Sequence, residues 1–243
     1  MQAALEAEGI RFALGARVAS VHRPDTDGPV EIDLGAGGTV VADEILVATG
    51  RRPRTRELGL DTVGLPPGGP IDVDERQRVS GIPDGWLYAV GDCTGLAPLT
   101  HMGKYQARIA ADVILGKDAA DRASRDMVPR VTFTDPQVCA VGLTEAAAIE
   151  RGLPVRTVEY GTGDVAGSYT RGEGLGGTSK LVVDSDREVV VGATFTGHGV
   201  QELLHSATVA IAGQVSVHDL WHAVPSFPTV SEVWLRLLEA YGL

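Results

Sequence analysis

Trp86-Leu87-Tyr88-Ala89-Val90-Gly91-Asp92 is the stretch on which the fold turns. Its apolar and aromatic run predicts a buried strand. The Gly-Asp pair at the carboxyl end then sets a carboxylate in the crevice outside the strand ends, where a ligand hydroxyl can reach it. An isolated Gly-Asp is in most proteins an ordinary surface turn, so the setting matters. Pro98-Leu99-Thr100-His101 leads into a helix predicted over Met102 to Leu115, with Met102, Tyr105, Ile109 and Val113 on one face and Gly116 as its stop. The first-turn amides of such a helix lack intrahelical partners, and its positive end favours an electron-rich ring edge.

Toward the start, Gln2 to Glu8 predicts a short helix ended by Gly9, followed by a strand over Ile10 to Leu14. A parallel crossover buries its helix against two strands, and the first of them is absent. The chain therefore has the expected pattern of a fragment that starts inside a domain. Val18 to His22, Val30 to Leu34 and Val40 to Ala48 predict an antiparallel meander with Gly-rich and Asp-rich turns. Between Gly50 and Gly85 only Ile71 to Val73 is strand-like, and the rest is a connector.

Toward the end, Lys117 to Pro129 is polar and without a core pattern, which marks a domain boundary. Beyond it, strands are expected at Val131 to Thr134, Val138 to Val141, Val155 to Tyr160, Lys180 to Asp184 and Glu188 to Phe195. The last two form a hairpin about Ser185-Asp186-Arg187. Thr144 caps a helix from Glu145 to Arg151. Val200, Leu203, Leu204, Ala207 and Ile211 mark an amphipathic helix, and Pro228 is expected to open another bearing Val230, Trp234, Leu237, Leu238 and Tyr241. The fold class is thus α/β plus α+β.

Composition narrows the function. The 243 residues carry 21 Lys plus Arg against 32 Asp plus Glu, a formal charge of −11, an acidic balance that gives a phosphate backbone little to engage. No nucleic acid is expected as a partner. No apolar run approaches the roughly 18 residues of a membrane span, so no membrane association is expected. Two cysteines and a start without a secretory pattern point to the cytoplasm. His218 and His222 lie four apart on a short helix, and His198 and His205 are nearby in sequence, yet no Glu or Cys completes a ligand set, so no metal site is expected.

Three segments together resemble the class I pyridine nucleotide-disulfide oxidoreductases, the family of dihydrolipoamide dehydrogenase, glutathione reductase and mercuric reductase. They are Ile45-Leu-Val-Ala-Thr-Gly-Arg-Arg-Pro53, Trp86 to Asp92, and Phe133-Thr-Asp-Pro-Gln-Val-Cys-Ala-Val-Gly-Leu-Thr-Glu145. The resemblance covers essentially the whole chain. It implies the C-terminal part of an NAD(P)-binding domain over residues 1–50, the C-terminal part of an FAD-binding domain over 51–120, and an α+β dimerisation domain over 126–243.

By the same resemblance, FAD and NAD(P) are the cofactors, Gly91 and Asp92 approach the flavin's ribityl chain, and Leu99, Thr100 and His101 meet its ring. His101 is equally well explained as a plain helix-entry histidine. Gly50, which lets backbone approach a nucleotide closely, is implied at the junction of the nicotinamide and flavin domains. The partners implied are a second copy of the chain and a small-molecule electron acceptor.

Three features depart from the family pattern. Gly172-Glu-Gly-Leu-Gly-Gly177 fits a dinucleotide fingerprint but precedes a strand, where a phosphate site needs a helix N-terminus. It is a loop, and neither pyrophosphate cradle of the family is present. Cys93 and Cys139 do not form the redox pair and serve as small apolar fillers. The family's His-Pro-Thr-x-x-Glu proton relay is here Phe227-Pro-Thr-Val-Ser-Glu232. Phenylalanine holds no proton, so Glu232 is left as the catalytic candidate, equally explained as an N-terminal-turn carboxylate favoured by the helix dipole. His222, five residues upstream, is an alternative proton source that the loop Ala223 to Ser226 gives no reason to favour. The implied function is an FAD-dependent NAD(P)H oxidoreductase present as a C-terminal portion. The alternative is a catalytically silent dimerisation module or truncated fragment that does not hold FAD by itself.

Overall fold

A computed structural model describes residues 1–243. It contains two compact units, Gln2–Arg52 and Pro53–Leu243, the latter joined by Met1.

In the smaller unit, helix α1 (Gln2–Ala7) precedes a three-stranded antiparallel sheet in the order β1 (Ser20–His22), β2 (Val30–Asp33), β3 (Thr39–Ala42). Ile32 pairs with Val21 on one side and Val40 on the other. Arg23 clamps the meander, its guanidinium donating to the Gly28 carbonyl at 2.9 Å and to both carboxylate oxygens of Glu44 at 3.0 and 3.1 Å. Val30 is the one buried hydrophobic residue of this unit, while Leu14, Val41, Leu46 and Val47 are exposed. Two expectations are corrected here. Ile10 to Leu14 is not a strand, and β3 ends at Ala42 rather than Ala48. Neither stretch has a neighbouring strand within the unit to satisfy its amides, and β-propensity without a ladder does not hold an extended chain.

The larger unit begins with irregular backbone over 53–99. Here Val73 pairs with Val79, Arg78 pairs with Tyr88, and Val73, Val79 and Ala89 form a small core. The expected buried strand Trp86 to Val90 is therefore a correction. Its Leu87 carbonyl accepts from the Val79 amide and its Ala89 amide donates to the Gln77 carbonyl, but no regular ladder follows, and Trp86 is 60% exposed. Gln77 stands at φ +63°, which kinks the only neighbouring segment and prevents a longer pairing. Helix α2 (Thr100–Ile114) buries Met102, Gln106, Ala110 and Val113. Its inward face is thus rotated from the expected one, with Gln106 in place of Tyr105 and Ala110 in place of Ile109.

The remainder is a five-stranded antiparallel sheet in the order β4-β5-β8-β7-β6. The strands are β4 (Arg130–Thr132), β5 (Gln137–Gly142), β6 (Val155–Gly161), β7 (Thr178–Asp184) and β8 (Val189–Gly197). The helices are α3 (Glu145–Glu150), α4 (Ala166–Tyr169), α5 (Leu203–Gly213), α6 (Val217–Trp221) and α7 (Glu232–Tyr241). Thr144 caps α3 as expected, its hydroxyl accepting from the Ala147 amide at 3.1 Å. Helix α5 lies on β5 and β8, and α7 on β6 and β7. Val200, Leu203, Leu204, Ala207 and Ile211 all face the core, as do Val230, Trp234, Leu237 and Leu238. At its centre the Phe195 and Trp234 rings sit 5.8 Å apart, tilted by 54°, a favourable offset for aromatic pairs. Pro228 does not open α7, which starts at Glu232. The residues ahead of it close a turn instead, with the Thr229 hydroxyl donating to the Ser226 carbonyl at 2.6 Å.

Candidate active site

Val90 is extended, and the chain then winds into a single 3-10 turn over Gly91–Thr94. Gly91 at φ +78° makes that reversal without strain. It also allows close packing, because a Cβ built on Gly103 of α2 would lie 3.3 Å from the Gly91 Cα. Two glycines facing one another therefore let the turn rest on the first turns of the helix. The Gly91 amide donates to Gln106 Oε1 at 2.6 Å, and Gln106 Nε2 donates to Ser124 Oγ at 2.9 Å. Gln106 is fully buried and Ser124 nearly so, so each polar group is satisfied by another rather than by water.

The chain of bonds continues into the linker. Asp121 Oδ1 accepts from the amides of Ala123 and Ser124, and its Oδ2 accepts from Gln77 Nε2 at 2.8 Å. None of Gly103, Gln106 and Ser124 is among the residues that the sequence singles out. The signal for Gln106 is an amide side chain on the apolar stripe that continues through Met102 and Ala110.

Asp92 follows Gly91 in the turn and is solvent-exposed on this chain. Leu99 begins α2 without a side-chain cap, so the amides of Thr100 and His101 have no side-chain acceptor. A helix of 15 residues with an open first turn thus follows a glycine turn that carries a carboxylate. These residues fit a flavin's polyol and its electron-rich ring edge. His101 is exposed, and its Nε2 lies 2.9 Å from the Pro129 carbonyl. A carbonyl only accepts, so that nitrogen carries the hydrogen and the side chain ties α2 to the strand entry at β4. Gly50, in the other unit, stands at φ +115° with nothing within 4 Å of a built Cβ.

The C-terminal candidates lie on one loop and helix start. Phe227 is 77% exposed. Glu232 opens α7 and is buried, with Oε1 accepting from Arg236 Nη2 at 2.7 Å and Oε2 buried without a partner. The loop is held by Gly167 of α4, where a Cβ would sit 2.0 Å from the Thr229 carbonyl carbon. No side chain can occupy that position while the loop stays in place. His222 is exposed, and His218 meets Glu188 at 3.1 Å. Residues 172–177 form a loop leading into β7.

The two cysteines have separate environments. Cys93 donates to the Val90 carbonyl, and Cys139 is fully buried between β4 and β8. Burial pushes the Cys139 thiol up to about 11, because the thiolate loses its hydration.

Comparison with known proteins agrees along the chain. Residues 1–111 match the profile of pyridine nucleotide-disulphide oxidoreductases, and residues 128–238 match the dimerisation domain of the same proteins. A dihydrolipoyl dehydrogenase of Chlamydia muridarum is 32% identical over 93% of the chain and 47% of its own length. A glutathione reductase of Burkholderia cepacia is 33% identical over 96% of the chain and 51% of its own. The crystal structure of LpdA from Mycobacterium tuberculosis superposes with a TM-score of 0.85 at 27% identity, covering 99% of this chain and 51% of that one. The chain thus spans about half the length of the curated relatives it matches. With two matched segments of one family in order, and a fold shared with a member of it, the chain belongs to the FAD- and NAD(P)-dependent pyridine nucleotide-disulphide oxidoreductase family.

Proposed function

We propose that the chain is the C-terminal portion of an NAD(P)H oxidoreductase that passes electrons through FAD to a small-molecule acceptor, working as a cytoplasmic homodimer. Residues 1–50 are assigned to the NAD(P)-binding domain, 51–120 to the FAD-binding domain and 126–243 to the dimerisation domain. The observation that carries this reading is the Gly91–Thr94 turn resting on the start of α2 through Gly91, Gly103 and Gln106.

The flavin, when bound, supplies hydride acceptance and electron release. The residues of this chain hold and orient it. Asp92 would accept hydrogen bonds from its polyol, and the amides after Leu99 would serve its electron-rich ring edge. At the C-terminal loop, Phe227 contributes apolar contact and no proton. Glu232 is held by Arg236 and keeps a second oxygen without a partner. A site without the relay histidine suits an acceptor that takes electrons directly, such as a quinone, better than a disulfide whose thiolate must be protonated.

The test is turnover of the full-length protein with NADH and NADPH against a quinone and against lipoamide or glutathione disulfide, for wild type, Phe227→His and Asp92→Ala. Quinone reduction by wild type with weak disulfide reduction, and loss of bound flavin in Asp92→Ala, are expected. Efficient disulfide reduction abolished by His222→Ala would overturn the reading of Phe227.

A second reading, a chain that does not hold FAD by itself, is favoured by the smaller unit, where Val30 is the one buried hydrophobic residue. Colour separates the two: a stoichiometric flavin spectrum after gel filtration of the 243-residue chain rules out the second.

A further inference from the structure

A cavity of about 450 Å³ lies between the linker after α2 and the hairpin end of the five-stranded sheet. Its floor is apolar, formed by Leu143, Leu153, Val189, Val190, Val191 and Ile211. Three arginines from separate segments meet at its wall, Arg122 from the linker, Arg151 from the end of α3 and Arg187 from the β7–β8 turn. In a chain of net charge −11, that convergence is a local reversal of sign. The volume falls within the range of small-molecule sites.

The charges at the wall are unequally compensated. Arg151 donates to Asp126, itself a lining residue, at 2.8 Å. Arg187 faces Asp184 at 4.0 Å, and that buried carboxylate already accepts from the amides of Asp186 and Arg187. Arg122 is fixed through its backbone amide, which donates to the Tyr105 hydroxyl at 3.0 Å, while its guanidinium has no acidic partner. One guanidinium is left over, so the cavity suits a single negative charge attached to an apolar body. A guanidinium binds a carboxylate through two parallel bonds. A dianionic phosphate would bring a second charge and set it against Asp126, which shares the lining.

We propose that this cavity is a binding site for a small carboxylate with an aromatic or aliphatic body. It lies wholly within Pro53–Leu243, one compact unit of the chain.

The experiment is isothermal titration of the chain with 2-naphthoate, with the neutral 2-naphthamide and with inorganic phosphate, for wild type, Arg122→Ala, Arg122→Lys and Arg187→Ala. Saturable binding of naphthoate is expected, with naphthamide and phosphate each weaker by about tenfold or more, the scale of one lost charge-assisted hydrogen bond. Arg122→Ala is expected to weaken naphthoate by a similar factor and Arg122→Lys by less, with unliganded melting temperatures unchanged. No saturable binding of naphthoate, equal binding of naphthamide or of phosphate, or naphthoate affinity indifferent to both alanine variants would each overturn the proposal. The comparison with naphthamide needs no variant and stands whether or not the substituted chains fold.

Discussion

The backbone amide of Gly91 is bonded to the side-chain oxygen of Gln106 across 2.6 Å, fifteen positions along the chain. A single amide side chain thereby joins the glycine turn, the helix it rests on and, through Ser124, the linker that leads to the sheet. Replacing Gln106 by leucine preserves size but removes both bonds and leaves the Gly91 donor inside the contact. The expected loss is about 1–3 kcal/mol, the usual cost of an unsatisfied buried partner. Urea denaturation of the 243-residue chain measures it, with the exposed Lys104→Leu on the same helix as a control expected within about 0.5 kcal/mol.

Gly167 packs under the loop that carries Phe227 and Glu232, and a Cβ there would overlap the Thr229–Val230 peptide. Gly167→Val is expected to destabilise by about 1–3 kcal/mol or more through overpacking. Gly69→Ala, where a Cβ meets nothing within 4 Å, is expected to cost little. Equal melting temperatures for the two variants would show that the loop yields freely.

Phe227 and Val224 are 77% and 83% exposed, both on the loop ahead of α7. If they meet a second copy of the chain, Phe227→Asp lowers self-association without lowering the stability of the separated chain. Sedimentation velocity across a concentration series checks the first, and thermal melting at low concentration checks the second. A closed two-fold pair would place each loop against its own counterpart's surface.

Cys139 is expected to resist alkylation at neutral pH and to react only as pH approaches about 11, where burial has moved its titration. The linkage has a defined sign. A thiol whose folded value is raised supports the fold below its ordinary value of 9.0, and that support is lost as pH rises from there toward 11. Mass-spectrometric mapping of iodoacetamide labelling over this range, with and without denaturant, distinguishes a protected thiol from an unreactive one. Rapid labelling of native Cys139 at pH 7 would contradict its placement between the strands.

Much of the dimerisation-domain half was legible in the sequence because its signals are periodic. The five residues from Val200 to Ile211 expected on one helix face all lie in the core, and the hairpin of β7 and β8 turns where Ser185-Asp186-Arg187 stands between two apolar runs. The loop nature of residues 172–177 followed from what comes after them, a strand rather than a helix. Family membership was legible for a related reason, since three motifs in a fixed order carry information that no single one does.

What the sequence could not determine depends on neighbours. Trp86 to Val90 has the residues of a strand, but a ladder needs a partner of regular shape, and Gln77 at φ +63° denies it one. The face of α2 is set by Gly91, which calls Gln106 inward to bond its amide; hydrophobicity alone would have chosen Tyr105. The meeting of Arg122, Arg151 and Arg187 is invisible along a chain that separates them by 29 and 36 positions. Composition and period fix which residues prefer burial, through local free energies of transfer and backbone geometry. Only the tertiary structure decides which polar groups find one another, because hydrogen bonds and charge pairs form between positions that the sequence leaves far apart.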